Sequence, residues 1–112
     1  MGIVEKKVGN FVIFELEGEL MGGAETEQFR GLVDDAIKNE KNKVIVDMKK
    51  VNWMNSSGLG MLMSALTSLR SSGGDLKLAN VSESVRRPIQ ITRLDSVFEE
   101  FDTIEEAMST FA

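Results

Sequence analysis

An α/β domain built on a mostly parallel sheet of four to five strands, with one antiparallel strand at its N-terminal edge and about four helices, is the fold this sequence predicts. Two patterns carry that reading. From residue 11 onward, short apolar runs of strand length alternate with longer stretches whose apolar residues recur at helical spacing, the pattern of strand–helix–strand units. Ahead of them, Gly9-Asn10 separates two strand-like runs by the two residues a tight hairpin needs, so the first pair is antiparallel.

The strands of that hairpin are expected over 3–8 and 11–17. Phe11-Val12-Ile13-Phe14 is continuously apolar, as in a strand covered on both faces. Gly18 and then Gly22-Gly23 lead into a loop. A helix over 24–39 follows, with Phe29, Leu32, Val33, Ala36 and Ile37 on one stripe. Val44-Ile45-Val46 reads as a short buried strand and 49–55 as a loop. A second helix is expected over 56–71, with Leu59, Leu62, Met63, Leu66 and Leu69 inward and Ser71-Ser72-Gly73-Gly74 as its stop. Leu76-Lys77-Leu78-Ala79 is the next strand. Residues 81–94 read as a helix with Val85, Ile89 and Leu94 inward, and Pro88 within it calls for a first-turn position or a kink. A short strand over 97–101 and a closing helix over 103–111 complete the order. Thr103 with Glu106 three residues on has the form of a capping box. No repeat, linker or low-complexity tract interrupts the pattern, and the 112 residues are read as one domain, 1–112.

Composition narrows the function. The chain has neither cysteine nor histidine, which removes thiol chemistry, serine–histidine triads and most metal sites. It also lacks a Gly-Lys-Ser or Gly-Lys-Thr phosphate-binding loop. The adjacent carboxylates, Asp34-Asp35, Glu99-Glu100 with Asp102, and Glu105-Glu106, do not face each other on a helix and read as solvated surface. No enzyme and no cofactor are therefore expected. A net charge of −5 disfavours nucleic acid and anionic membranes as partners. No apolar run reaches membrane-spanning length and the N-terminus is charged, so a cytoplasmic protein without direct membrane insertion is expected.

The most informative segment is Val51-Asn52-Trp53-Met54-Asn55-Ser56-Ser57-Gly58-Leu59-Gly60, between a strand and a helix. Asn and Ser are strong helix N-caps, and here they precede an apolar-periodic run. Gly58 and Gly60 are poor helix formers, so two of them in and near the first turn cost stability. Such glycines bare the backbone and leave the two hydroxyls open to a partner at the positive end of the helix dipole. The plain alternative is an ordinary cap and turn.

This segment resembles the signature of the STAS domain family, of the bacterial anti-sigma factor antagonist type, in which an Asp-Ser-Ser/Thr-Gly-Leu-Gly run starts the second helix. Gly18-Glu19-Leu20, Val44-Ile45-Val46-Asp47-Met48, Gly73-Gly74-Asp75-Leu76, the stretch 85–94 with Phe98, and Glu105-Glu106-Ala107 resemble further family segments in the right order. The resemblance implies strand–helix units stacked as a right-handed superhelix. It also implies a regulator of transcription that binds an anti-sigma factor acting as a serine kinase. Phosphorylation would fall on Ser56, with Ser57 the alternative, and a PP2C-type phosphatase would reverse it. ATP and magnesium would belong to the kinase. The expected partner-binding residues are Asn55, Ser56, Ser57, Gly58, Met61 and Met21.

Two positions depart from the antagonists. Asn55 stands where they usually have Asp, which keeps the cap and removes a charge beside the acceptor hydroxyl. Met21 stands where they often have another Asp. The alternative role is a non-switching STAS scaffold, as the subunit of a lipid ABC transporter or of a larger signalling assembly. Trp53 is expected in the core or half-buried, with an interface anchor as the alternative. Met61 lies off the inward stripe, where an exposed methionine suits an adaptable contact. Arg86-Arg87 with Arg93 reads as ordinary helix surface that could also hold an anion.

Overall fold

The computed structural model describes residues 2–111. Its elements run β1 (Gly2–Val8), β2 (Phe11–Leu20), α1 (Ala24–Lys38), β3 (Lys43–Met54), α2 (Ser56–Ser71), β4 (Asp75–Ala79), α3 (Glu83–Ile91), a 3₁₀ turn (Leu94–Ser96), β5 (Glu100–Phe101) and α4 (Ile104–Ser109). The five strands lie in sequence order in one sheet. β1 pairs antiparallel with β2 across the Gly9-Asn10 turn, where Gly9 takes the positive φ of 60° that glycine accommodates without strain. The other three pairings are parallel.

Alternation along the strands makes two cores. Val12, Phe14 and Leu16 on β2, Val44, Val46 and Met48 on β3, and Leu76 and Leu78 on β4 share one face. The apolar stripes of α1 (Phe29, Val33, Ala36), α2 (Leu59, Leu62, Leu66, Leu69) and α3 (Val85, Ile89) close over them. Each Val, Leu, Ile, Phe or Met among them, fully buried, contributes about 1.5–3 kcal/mol. On the other face Ile13, Ile45 and Ala79 meet Ala107 of α4, ringed by Phe11, Phe101, Ile104, Met108 and Phe111. Two-sided cover explains the continuous apolar run at residues 11–14. Lys77 also points to this face. It is buried, donates to Thr110 Oγ1 at 2.6 Å, pairs with Glu99 at 3.4 Å and lies 4.4 Å from the Phe111 ring centre, so a satisfied cation pins α4 to β4.

The structure corrects several boundaries. Residues 49–54 are strand, not loop, because β2 and β3 run on together as far as Leu20 and Met54. Register shifts between Glu15 and Glu17 and between Gly18 and Glu19 break the two-residue period there. Lys49 and Lys50, then Asn52 and Trp53, are exposed in adjacent pairs, which disguises the strand. The third helix spans only Glu83–Ile91, with Ser82 at its N-cap. It ends where the Thr92 hydroxyl donates back to the carbonyl of Pro88 at 2.8 Å and Arg93 turns left-handed at φ 61°. Pro88 sits in the helix interior, past the first turn. The strand expected over 97–101 is reduced to Glu100–Phe101, because the 3₁₀ turn occupies the approach to it. Thr103 caps α4 by accepting from Glu106 N at 3.1 Å, and the helix stops at Ser109.

Candidate functional site

The C-terminal ends of β2 and β3 converge on the start of α2. Leu20 and Met54 are register partners and both are buried, so the two strands end side by side. The chain then turns sharply into the helix. Asn55 holds that turn with three bonds. Its backbone N–H donates to Leu20 O at 3.1 Å, its side-chain Oδ1 accepts from Gly58 N at 2.8 Å, and its carbonyl accepts from Leu59 N at 3.0 Å. Asn55 is therefore the N-cap, extended in backbone, and a carboxylate is not needed for the role.

Gly58 is a packing requirement rather than an opening for a partner. A Cβ there would lie 2.2 Å from Leu20 O and 2.8 Å from its carbonyl carbon. The residue is buried, which corrects its expected place among the partner-facing residues. Gly22, in the loop after β2, is tied to the same spot. It has φ 80°, and a Cβ on it would come within 2.9 Å of Ser57 Cβ. The neighbouring Gly22-Gly23 pair was the sequence signal for this close approach, and loop position alone did not show what it approaches. Gly60 differs from both. Nothing stands within 4 Å of where its Cβ would be.

This frame leaves Ser56 and Ser57 exposed in the first turn of α2. Neither hydroxyl has a hydrogen-bond partner among the described residues. Gly22 crowds Ser57 from one side, which makes Ser56 the freer of the two. The first-turn amides of Ser56 and Ser57 are the kind a helix leaves unpaired, and they aim the positive end of the dipole at the hydroxyls. No charged side chain occurs in residues 51–60.

Of the other residues singled out above, Met21 is 51% exposed beside this site. Met61 is buried and not available to a partner. It forms part of the floor of a shallow groove between α1 and α2, with Phe29, Val33 and Ala65. The inward face of α2 is broad enough to take in both residue 61 and residue 62, so a narrower stripe read from spacing excluded it wrongly. Trp53 is not core; it is 45% exposed, with the rest of its surface covered. Arg86 is engaged by Glu100 Oε1 at 2.6 Å, by Glu83 and by the carbonyl of Val81, so it ties α3 to β5. No cluster of three or more acidic side chains able to hold a metal occurs among the described residues.

The profile of one known family, the STAS domain, matches residues 3–107. The chain belongs to the STAS domain family. It is 35% identical over 75 residues to a Thermotoga maritima protein named as an anti-sigma factor antagonist, a match covering 67% of this chain and 66% of that protein. A crystal structure of a Thermotoga maritima anti-sigma factor antagonist superposes with a TM-score of 0.85 at 31% identity, covering 96% of this STAS chain and 92% of that one. The phosphorylated form of the Bacillus cell fate determinant SpoIIAA superposes with a TM-score of 0.76 at 26% identity, covering 99% and 100%. No helix among the described residues is long and apolar enough to cross a membrane.

Proposed function

We propose that this STAS protein is an anti-sigma factor antagonist that binds an anti-sigma factor acting as a serine kinase, and that phosphorylation of Ser56 switches the binding off. The observation that carries the reading is the Ser56 hydroxyl itself. It is exposed and unbonded at the first position of a helix whose start is fixed by Asn55, Leu20 and Gly58. A kinase needs a hydroxyl that it can reach, and this one is exposed. The relatives named as antagonists support the partner class.

Phosphorylation would add about −1.5 to −2 charges at one surface point. The helix start accepts that charge, since its free amides and dipole favour an anion by about 0.3–1 kcal/mol. An interface does not. There the phosphate must be desolvated beside Met21, Asn55 and Ser57, none of which carries a cation. The modification thus leaves the fold intact and weakens the complex, and a PP2C-type phosphatase would restore it. Incubation with the anti-sigma kinases of the source genome and ATP, followed by mass spectrometry, should place phosphate on Ser56. In pull-downs Ser56→Ala should bind and not respond, and Ser56→Asp should bind more weakly. Phosphate on Ser57 alone, or full binding by the phosphorylated form, contradicts the assignment. The uncharged Asn55 and Met21 favour a second reading, a non-switching STAS scaffold subunit, which stands if kinases bind no form of the chain.

A further inference from the structure

Resting on the functional reading above and naming the chemistry of its partner, we propose that Glu19 and Trp53 form a ledge that docks an arginine of the anti-sigma kinase beside Ser56. Register partners on neighbouring strands carry their side chains to the same face. Leu20 and Met54, paired at the strand ends, both point into the core. One position back, Glu19 and Trp53 are paired and both point outward, with Trp53 45% exposed. Further along the same two strands the register pair Glu17 and Lys50 meets in an ion pair of 3.5 Å, so cross-strand partners on β2 and β3 do reach each other.

At the Glu19–Trp53 step this chain supplies no cation. The Glu19 carboxylate has no hydrogen bond or ion pair among the described residues, and the Trp53 indole stacks on no ring or cation among them. An exposed indole face beside an unpaired carboxylate is matched by one side chain above others. Arginine lays its flat guanidinium on the ring while its N–H fork bonds the carboxylate. Lysine can offer only a point charge. Trp53 is three residues before Ser56, so an arginine held there anchors the kinase alongside the hydroxyl it modifies. The net charge of −5 favours the approach of a cationic partner.

The test uses the full chain, ¹⁵N-labelled, titrated with blocked Gly-Arg-Gly and Gly-Lys-Gly peptides. The arginine peptide should shift the Trp53 indole N–H and the Glu19 amide, and bind about threefold or more tighter than the lysine peptide. Glu19→Gln and Trp53→Leu should each abolish that preference, and Glu105→Gln, which removes a carboxylate on α4, should leave it. With a kinase that phosphorylates Ser56, Glu19→Gln and Trp53→Leu should each weaken binding by about fivefold or more. Equal affinity for the two peptides, or wild-type kinase binding by both variants, overturns the ledge and leaves the functional reading intact. If no kinase acts on Ser56, that reading fails, and the peptide arm still decides the ledge.

Discussion

Two glycines two residues apart in α2 should respond to the same substitution with opposite signs. At Gly58 the added methyl would sit 2.2 Å from Leu20 O, 2.8 Å from the carbonyl carbon and 2.9 Å from Leu20 Cβ. These atoms belong to a paired strand, and the same carbonyl accepts from Asn55 N. Relief therefore requires α2 and β2 to separate by about 1 Å, which puts that hydrogen bond, about 1 kcal/mol, at risk. Overpacking of this kind costs a further 1–3 kcal/mol or so, against a helix-propensity gain of about 1 kcal/mol for alanine over glycine. Gly58→Ala should lose about 1–3 kcal/mol. Gly60→Ala meets nothing within 4 Å and keeps only the gain, about 0.8–1 kcal/mol. At this chain length each kcal/mol moves Tm by about 4 °C, so the two variants should fall on either side of wild type. Urea and thermal unfolding followed by far-UV circular dichroism read this out. If Gly58→Ala is as stable as wild type, the packing of the helix start against Leu20 is not as described.

Three further outcomes follow from named contacts. Asn55→Ala should lose about 1 kcal/mol of stability in urea unfolding, and Asn55→Asp should match or exceed wild type, because the carboxylate caps equally well and suits the dipole. A loss in Asn55→Asp equal to that in Asn55→Ala would contradict the cap. Lys77→Met should stay within about 1 kcal/mol of wild type, since it keeps the buried stem, whereas Lys77→Glu should lose about 3 kcal/mol or more and raise amide exchange across 104–109; equal stability of the two would contradict the role of the cation. The hydrogen bond from Lys6 holds the Glu15 carboxyl below the ordinary glutamate range, so the stability it adds is full above that ordinary value and is lost as pH falls through the lowered one. Lys6→Gln should bring the Glu15 titration back up in side-chain ¹³C NMR, and an unmoved titration would refute the pairing.

The fold was legible wherever one period ruled a whole element. The stripe of Phe29, Val33 and Ala36 and the alternation of Val44 and Val46 with Ile45 each mark what the structure buries. Legibility failed where two periods met. The β2–β3 pair changes register twice, and Lys49-Lys50 with Asn52-Trp53 read as loop because the bulges put both members of each pair outside. The same bulges turn Trp53 outward, so that it is 45% exposed and not core. Met61 failed for the reverse reason, since α1 leans on α2 and widens the buried face beyond a single stripe. At the site, residue types pointed to Asn55 and Ser56 directly, because a cap and a hydroxyl are local properties. Gly58 and Gly22 were visible only as glycines. What each must avoid is a strand-end carbonyl or a serine far away in sequence, and no local pattern carries that.

That division bears on how a switch can be built here. The hydroxyl proposed as the phosphate acceptor is local and exposed, while everything that holds it still is non-local. Leu20 O receives Asn55 N, bars any side chain at residue 58, and closes the β2 end of the sheet. Adding phosphate to Ser56 therefore strains none of these contacts, because none of them uses the hydroxyl. The helix start already favours an anion, so the charge is absorbed by the fold and felt by whatever approaches it. Replacing Asp by Asn at residue 55 leaves that arrangement standing, since Oδ1 still accepts from Gly58 N. What changes is the field at the acceptor, from a resident negative charge to none. The unphosphorylated surface at residues 55–57 is then neutral, and the contrast between its two states is the charge of the phosphate, about −1.5 to −2, the same step that it would be beside an Asp. A chain of this design should lose partner affinity on phosphorylation by at least as large a factor as its Asn55→Asp variant, and isothermal titration of both forms of both proteins would measure it. A larger factor in Asn55→Asp would show that the resident charge, and not the contrast, drives release.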